Sequence, residues 1–572
     1  MVTDDDAIVK NRKKMNNIMN NTMKRSRISQ FILFFAAGLA LASCAKEITE
    51  TPAAPEESVP EYTTITLTAT HPEMTEAGAA VQENGATAVV STKTTLNETN
   101  GTVSWAAGDK LKLVCEDGTD FYTEALAEAD LKDGGKTATF KATVPADKAL
   151  KWAVYPSDIA TELTKDGKFS VTVPHEQDGK FEHASIEAGE IGEDNSIALK
   201  NVCALLKFTV ANEGAAKVFI GGNGAPLNGK VNISASILDA SYTDSEDVPD
   251  YQPNVEVTVG RPGTTYYAAI LPTKTTGLSM QIYSADNKLL AENISSNALD
   301  APRKTIKNLG ELRSTPFANK RFVTKDGAGD KQGLSWENAW SFQTLISKLQ
   351  GTALTDHVIF ISEGNIKPSA GIITLKDNTK FKIFGGYPTN LTGMAITERD
   401  INRHATSFVG KDRSGETDNA RLFVYNPSAT GTETLFDGVG FNDTYQWVET
   451  AQYDLYAGTC LLIGASKNVY CVNCRFNSNY KIGNGIIRVG STSSSAANAT
   501  FERCVFSNNT VTGKGLIRVY TKGKVTFKDC DFTENNTVKG DEKSPYRICF
   551  ASNTADVTDG GGNELADNQT LK

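Results

Sequence analysis

Cys44 is the residue of this chain best placed for covalent chemistry, because its thiol stands directly behind an apolar run and two small residues, as Leu41-Ala42-Ser43-Cys44. A second thiol pair, Cys471 and Cys474, has the CxxC spacing of half a zinc site. No second ligand pair with helpful spacing accompanies it, so these cysteines read as small apolar residues, reduced and without metal. A third candidate group is aromatic. Residues 442–459, NDTYQWVETAQYDLYAGT, carry Tyr445, Trp447, Tyr453 and Tyr456 beside Asp443, Glu449 and Asp454. Such a loop can lie flat against sugar rings or anchor a protein partner, and its competing role is packing against its own scaffold. These four aromatics are the ligand-binding candidates. The chain's 5 histidines include none near a serine-elbow pattern, and no catalytic residue or cofactor is assigned.

The elements around Cys44 form an export signal: Lys24, Arg25 and Arg27, then the apolar stretch Phe31 to Leu41, then two small residues. The stretch is too short to cross a bilayer alone. The layout resembles a bacterial lipoprotein signal, which implies removal of residues 1–43, acylation of Cys44 and a membrane-tethered product. Met23 suits the start of that signal better than Met1, and residues 1–22 are left out of fold reasoning. Lys46, Glu47 and Glu50 resemble the acidic tags that send lipoproteins of some Gram-negative bacteria to the outside of the outer membrane. The rest of segment 44–60, ending in TPAAPEESVP, reads as an extended tether.

With 572 residues, more than one domain is expected. The net charge of −10, without clustered Lys and Arg, argues against nucleic-acid binding. Short Val, Ile, Thr, Tyr and Phe runs separated by Gly, Asn and Asp give an all-β signature. Residues 61–195 and 196–315 read as two β-sandwich units, and 316–572 as a third folded part. The run Tyr62 to Thr68 alternates at period two and predicts the first strand.

Within the first two units, Trp105-Ala106-Ala107-Gly108-Asp109, AVYP at 153–156, ALLKF at 204–208, YYAAILP at 266–272 and NLGEL at 308–312 occur in an order that resembles the fimbrillin family of lipoprotein pilins over 61–313. The resemblance implies tandem transthyretin-like β-sandwiches, a place in or beside a surface fimbria, and fimbrial partners joined by β-strand addition after the first strand is cleaved off at an arginine. Here the chain departs from the pattern, because no arginine lies between Arg27 and Arg261. Either another protease acts, with Lys93 one possible site, or the first strand stays in place. Trp105, Gly108 and Asp109 themselves read as a packed aromatic followed by a turn.

The third part repeats. Val469 to Asn479, Ala499 to Asn509 and Val525 to Asn535 align, with a fainter copy at 435–443 that puts Phe441 in the same column. Cys474, Cys504 and Cys530 are predicted to form one inward column, Phe476, Phe506 and Phe532 another, and Asn479, Asn509 and Asn535 a column at a turn. This part resembles the right-handed parallel β-helix proteins of the pectate-lyase-like superfamily over 320–560. That superfamily includes polysaccharide lyases, whose sites combine calcium-binding carboxylates with an arginine or lysine base, so a surface polysaccharide lyase or other glycan-degrading enzyme is the alternative to a recognition role. Arg488 and Arg518 recur in one column, with Glu502, Asp529 and Asp531 nearby in sequence, and read as solvated ladder members. Before the repeat, Trp336, Trp340, Leu345 and Leu349 predict one face of an amphipathic helix, whereas 551–572 show no pattern and read as a loose cap or tail. The fold class expected is therefore all-β: tandem sandwiches, then a right-handed parallel β-helix. The function expected is a pilus-associated adhesin at the cell outer membrane, presenting the β-helix to a glycan or cell-surface ligand, with a polymerising structural pilin as a further alternative.

Labelled palmitate fed to producing cells should enter the protein at Cys44, and Cys44→Ser should abolish the label and release the protein from the membrane fraction.

Overall fold

The computed structural model describes residues 61–77, 94–97, 101–163, 167, 169–233, 252–351, 354–368, 372–376, 378–410, 421–425, 432–446, 458–464, 467–491, 496–540, 546–553 and 556–572. Cys44 and Lys93 lie outside them. The described chain is all-β: sheets stacked as sandwiches, then a long series of parallel strands.

The first strand, Tyr62–Thr70, pairs antiparallel along its whole length with Thr137–Pro145 and parallel with Ser196–Ala198. Its alternation has the expected effect, since Leu67 and Ala69 are fully buried while Thr66 and Thr68 face out. The opposing sheet runs Lys200–Asn201, Glu187–Glu190, Leu150–Tyr155, Lys112–Cys115, Asp120–Tyr122. Trp105, Phe140, Leu113 and Tyr155 fill the space between the two. Asp109 is buried and organises the adjoining turn, accepting hydrogen bonds from Thr94 Oγ1 (2.6 Å), the Ala106 amide (2.9 Å) and Tyr155 Oη (3.2 Å).

A second pair of sheets encloses Leu206, Phe208, Val218, Ile220, Val257 and Ile282. A further core joins the pairs, with Trp152, Val154, Phe169, Leu205 and Tyr267 in one cluster. Strand Ala204–Val210 therefore buries both faces, Leu205 in one core and Leu206 in the other, which accounts for the apolar run ALLKF. Thr75–Ala77, just after the first strand, forms the edge of one sheet of the second pair, parallel to Thr305–Leu312, the last strand in sequence before the next part of the chain.

From Asn319 onward the strands stack coil upon coil. A long face holds nine strands, in the order Trp340–Ser341, Asn319–Thr324, His357–Ser362, Lys380–Tyr387, Thr432–Asp437, Lys467–Val472, Ala497–Glu502, Gly523–Lys528, Val557–Asp559. Two further faces hold five and six strands, and a short one holds four. Every ladder within these faces is parallel, the arrangement of a β-helix. Inside, Phe441, Phe476, Phe506 and Phe532 stack face to face, with centroid spacings of 5.0, 4.7 and 4.6 Å. Cys474, Cys504 and Cys530 form the neighbouring column, each thiol pointing at a carbonyl of the preceding coil: Phe436, Cys471 and Phe501. The eight described cysteines are free and buried. Burial pushes the Cys203 and Cys460 thiols up to about 12.

The asparagine column needs a correction. Asn479 Oδ1 accepts from the Thr444 amide, Asn509 Oδ1 from the Asn479 amide, and Asn536 Oδ1, not that of Asn535, from the Asn509 amide. The third coil carries one extra residue after Phe532, where Thr533 turns back to donate to Asp531 Oδ1, and this shifts the ladder by one. Asn535 instead takes the left-handed backbone position, φ 50°, beneath Asn508, Ser478 and Asp443. Two expectations at the ends also change. The helix is Phe342–Gly351, burying Phe342, Leu345, Ile346 and Leu349 over the first coils, while Trp336 and Trp340 precede it in a 3₁₀ turn and a short strand. Residues 551–572 are not a loose tail: Val557–Asp559 extends the long face, Gln569–Thr570 pairs with Tyr546–Arg547, and Leu571 enters the core.

Asn536→Ala, which strands the Asn509 amide, should lower unfolding stability by about 1–3 kcal/mol. Asn535→Gly, which keeps the positive φ, should change it by less than about 0.5 kcal/mol, both read by chemical denaturation.

Candidate functional site

Where the second sandwich meets the β-helix, the contact is polar and buried. Gln281, 1% exposed, donates to the Met394 carbonyl (2.8 Å) and accepts from the Ile396 amide (3.0 Å), both in the segment between two long-face strands. Glu292 accepts from the Phe317 amide and pairs with Lys320 Nζ, each at 2.7 Å. Arg399, fully buried, pairs with Asp437 (2.8 Å) and donates to the Gly385 carbonyl (2.7 Å). Asp437 also accepts from Asn473 Nδ2 (2.9 Å) and from Ser296 Oγ of the sandwich (2.5 Å). Close backbone approach requires glycine at Gly221, where a Cβ would lie 2.1 Å from the Thr397 carbonyl oxygen. Glu398 is largely buried in the same joint, and loss of hydration raises its carboxyl above the ordinary value.

This docking covers only part of the long face. Its outward residues fall in columns: Phe360 and Phe384 sit beneath Trp336, Tyr387, Phe317 and Ile294, whereas the next column, Val358, Lys382, Leu435, Tyr470, Thr500, Thr526, runs out from under them. At the boundary a cleft of about 290 Å³ opens, with Phe317, Val358, Leu435 and Tyr470 as its apolar wall and Asp356, His357, Lys380, Lys382 and Glu433 around it. Tyr470 is 40% exposed. Burial holds the His357 imidazole below its usual value, so it is neutral at neutral pH. Beyond the cleft the parallel column continues from Glu433 through Asn468 and Asn498, whose amides are bonded at 2.9 Å.

Of the aromatic candidates, Tyr445 belongs to the coil stack: its ring lies on Tyr480 at 5.1 Å and it is half-buried. Trp447, Tyr453 and Tyr456 lie outside the described residues. Arg488 and Arg518 do share a column, but Arg518 is not the solvated ladder member expected: it is buried, and both guanidinium groups lie over Tyr520, at 4.4 and 4.2 Å, with Arg518 also covering Phe550. Glu502 faces out from the long face, paired with Arg503 and Lys528, so the structure does not bring this acid to that arginine column. Among the described residues no three His, Cys, Asp or Glu side chains are grouped to hold a metal ion. Sequence reading missed the cleft because its wall comes from four separated segments. The one local signal is Tyr470, an aromatic at an outward position between Val469 and Cys471.

No family model matches the chain, and no curated protein matches it. Among solved structures, a candidate cell adhesion protein from Bacteroides uniformis ATCC 8492 aligns over 41% of this chain and 98% of its own, at 13% identity and a TM-score of 0.23. A fimbrial assembly protein from Parabacteroides distasonis ATCC 8503 aligns over 44% and 92%, at 11% and 0.23. A fimbrial protein from Bacteroides ovatus ATCC 8483 aligns over 39% and 48%, at 13% and 0.18. Similarities this low establish neither a shared function nor a shared assembly. Among the described residues no helix is long and apolar enough to cross a membrane.

The raised carboxyl of Glu398 stabilises the fold while protonated, and that contribution is lost as pH rises through its folded value. Glu398→Gln should therefore raise the Tm at mildly alkaline pH and leave it nearly unchanged in acid below 4.5, the ordinary value, as followed by thermal scans.

Proposed function

We propose that the chain is a surface-anchored, fimbria-associated adhesive protein, in which the double sandwich is the stalk and the β-helix carries the recognition surface. The acylation signal at Cys44 supplies the anchor, and the fimbrillin-like segments supply the stalk. The observation that carries the reading is the joint: a recognition surface on a stalk is useful when its orientation is fixed, and hydrogen bonds that link Gln281, Glu292 and Ser296 of the sandwich to Ile396, Phe317 and Asp437 hold it. Binding without turnover is favoured over a lyase because the repeating arginines lie on aromatic rings and backbone carbonyls, away from the acids of the long face. The first strand is held by neighbours on both sides, which favours a terminal or accessory position over a shaft subunit that must surrender it.

A strain lacking the chain should adhere more weakly to the surface its parent colonises, with adherence restored by the intact gene and the protein digested by protease added to whole cells. Equal adherence of the two strains would sink the proposal.

A further inference from the structure

The cleft beside Tyr470 has a wall and a charge pattern that select a ligand. We infer that it binds a neutral pyranose ring of a glycan, seated on the exposed Tyr470 face, with the rest of the chain running across the coils along Asn468, Asn498 and Thr500. The inference rests on the adhesive reading and gives it a site and a ligand class.

Three observations carry it. First, the volume of about 290 Å³ lies at the lower end of ligand pockets, room for one ring. Second, the cleft offers an aromatic face beside aliphatic Val358 and Leu435, which suits the apolar C–H face of a sugar. Third, the surrounding charges balance. Lys380 and Lys382 stand against Asp356 and Glu433, so an anion meets two carboxylates and a cation two ammonium groups, while a neutral polyol finds donors and acceptors together. The columns leading away keep that character: asparagines bonded coil to coil, then threonines, with Lys524 the next charge in the line at the third coil beyond Glu433. Successive coils are spaced by about 4.8 Å, a regular set of polar steps for an extended chain. The cleft sits at the rim of the sandwich contact, so its walls are held by the buried joint next to it.

The test is saturation-transfer NMR and calorimetry on the intact chain in detergent, with the methyl glycosides of glucose, galactose, mannose and N-acetylglucosamine, their linear tetrasaccharides, and polygalacturonate as the acidic comparison. At least one neutral tetrasaccharide is expected to bind, and Tyr470→Ala to weaken it roughly tenfold or more, while Tyr122→Ala, at an exposed sandwich position (53%), leaves it unchanged. Glu433→Gln, which keeps shape and removes the acceptor charge, should weaken it as well. Binding untouched by Tyr470→Ala overturns the site; binding of polygalacturonate alone, or of no member of the panel, overturns the ligand class. Whole-cell adherence separates this from the broader reading. If a strain with Tyr470→Ala adheres as well as its parent while the strain lacking the chain does not, the site falls and the adhesive role stands.

Discussion

A buried ion pair within the β-helix half, Arg399 with Asp437, underlies the surface on which the sandwich docks through Ser296. Both side chains are fully buried, so each charge is stable only because the other is there, and removal of either partner of such a pair typically costs 3–5 kcal/mol. Asp437 ends a long-face strand, Arg399 belongs to the segment that covers the neighbouring aromatics, and Ser296 reaches Asp437 from the sandwich. One carboxylate thus ties coil, covering segment and sandwich together. Gly438 follows directly: a Cβ there would lie 2.4 Å from Arg399 Nη2, so the guanidinium fits only because the chain has no side chain at that point.

Much of the architecture was legible in local periodicity. Leu67 and Ala69, the ALLKF run and the Phe column are all set by alternation or by repetition, and these act through neighbours in sequence or through copies that announce themselves. The failures share a cause as well. One inserted residue after Phe532 moved the asparagine ladder to Asn536, and nothing within the third copy marks the insertion, because Asn535 and Asn536 are both asparagines. Trp336 and Trp340 have helical spacing, yet their environment is decided by Phe322, Tyr387 and Arg321 from other strands. The joint was invisible for the same reason: Gln281 and Ile396 are far apart in sequence, and a glutamine on a sandwich strand carries no mark of a distant partner.

The candidate site divides along that line. Aromatic richness drew attention to 445–456, where the described member, Tyr445, is occupied by Tyr480. Tyr470 stands alone in sequence and gains meaning only when Val358, Leu435 and Phe317 are placed beside it. Stacking also explains why the β-helix can present such a face. Its interior is carried by rings and thiols in register, so outward positions are released from packing duties and can be chosen for contact.

The parallel pairing of Thr75–Ala77 with Thr305–Leu312 has a consequence for how the molecule comes into being. Residues 75 and 305 must meet before that sheet is complete, a closure across about 230 positions whose entropic penalty is met only late. A chain emerging N-terminus first therefore cannot complete this sheet until the beginning of the β-helix is close behind, whereas the sheet built from Tyr62–Thr70, Thr137–Pro145 and Ser196–Ala198 can close long before.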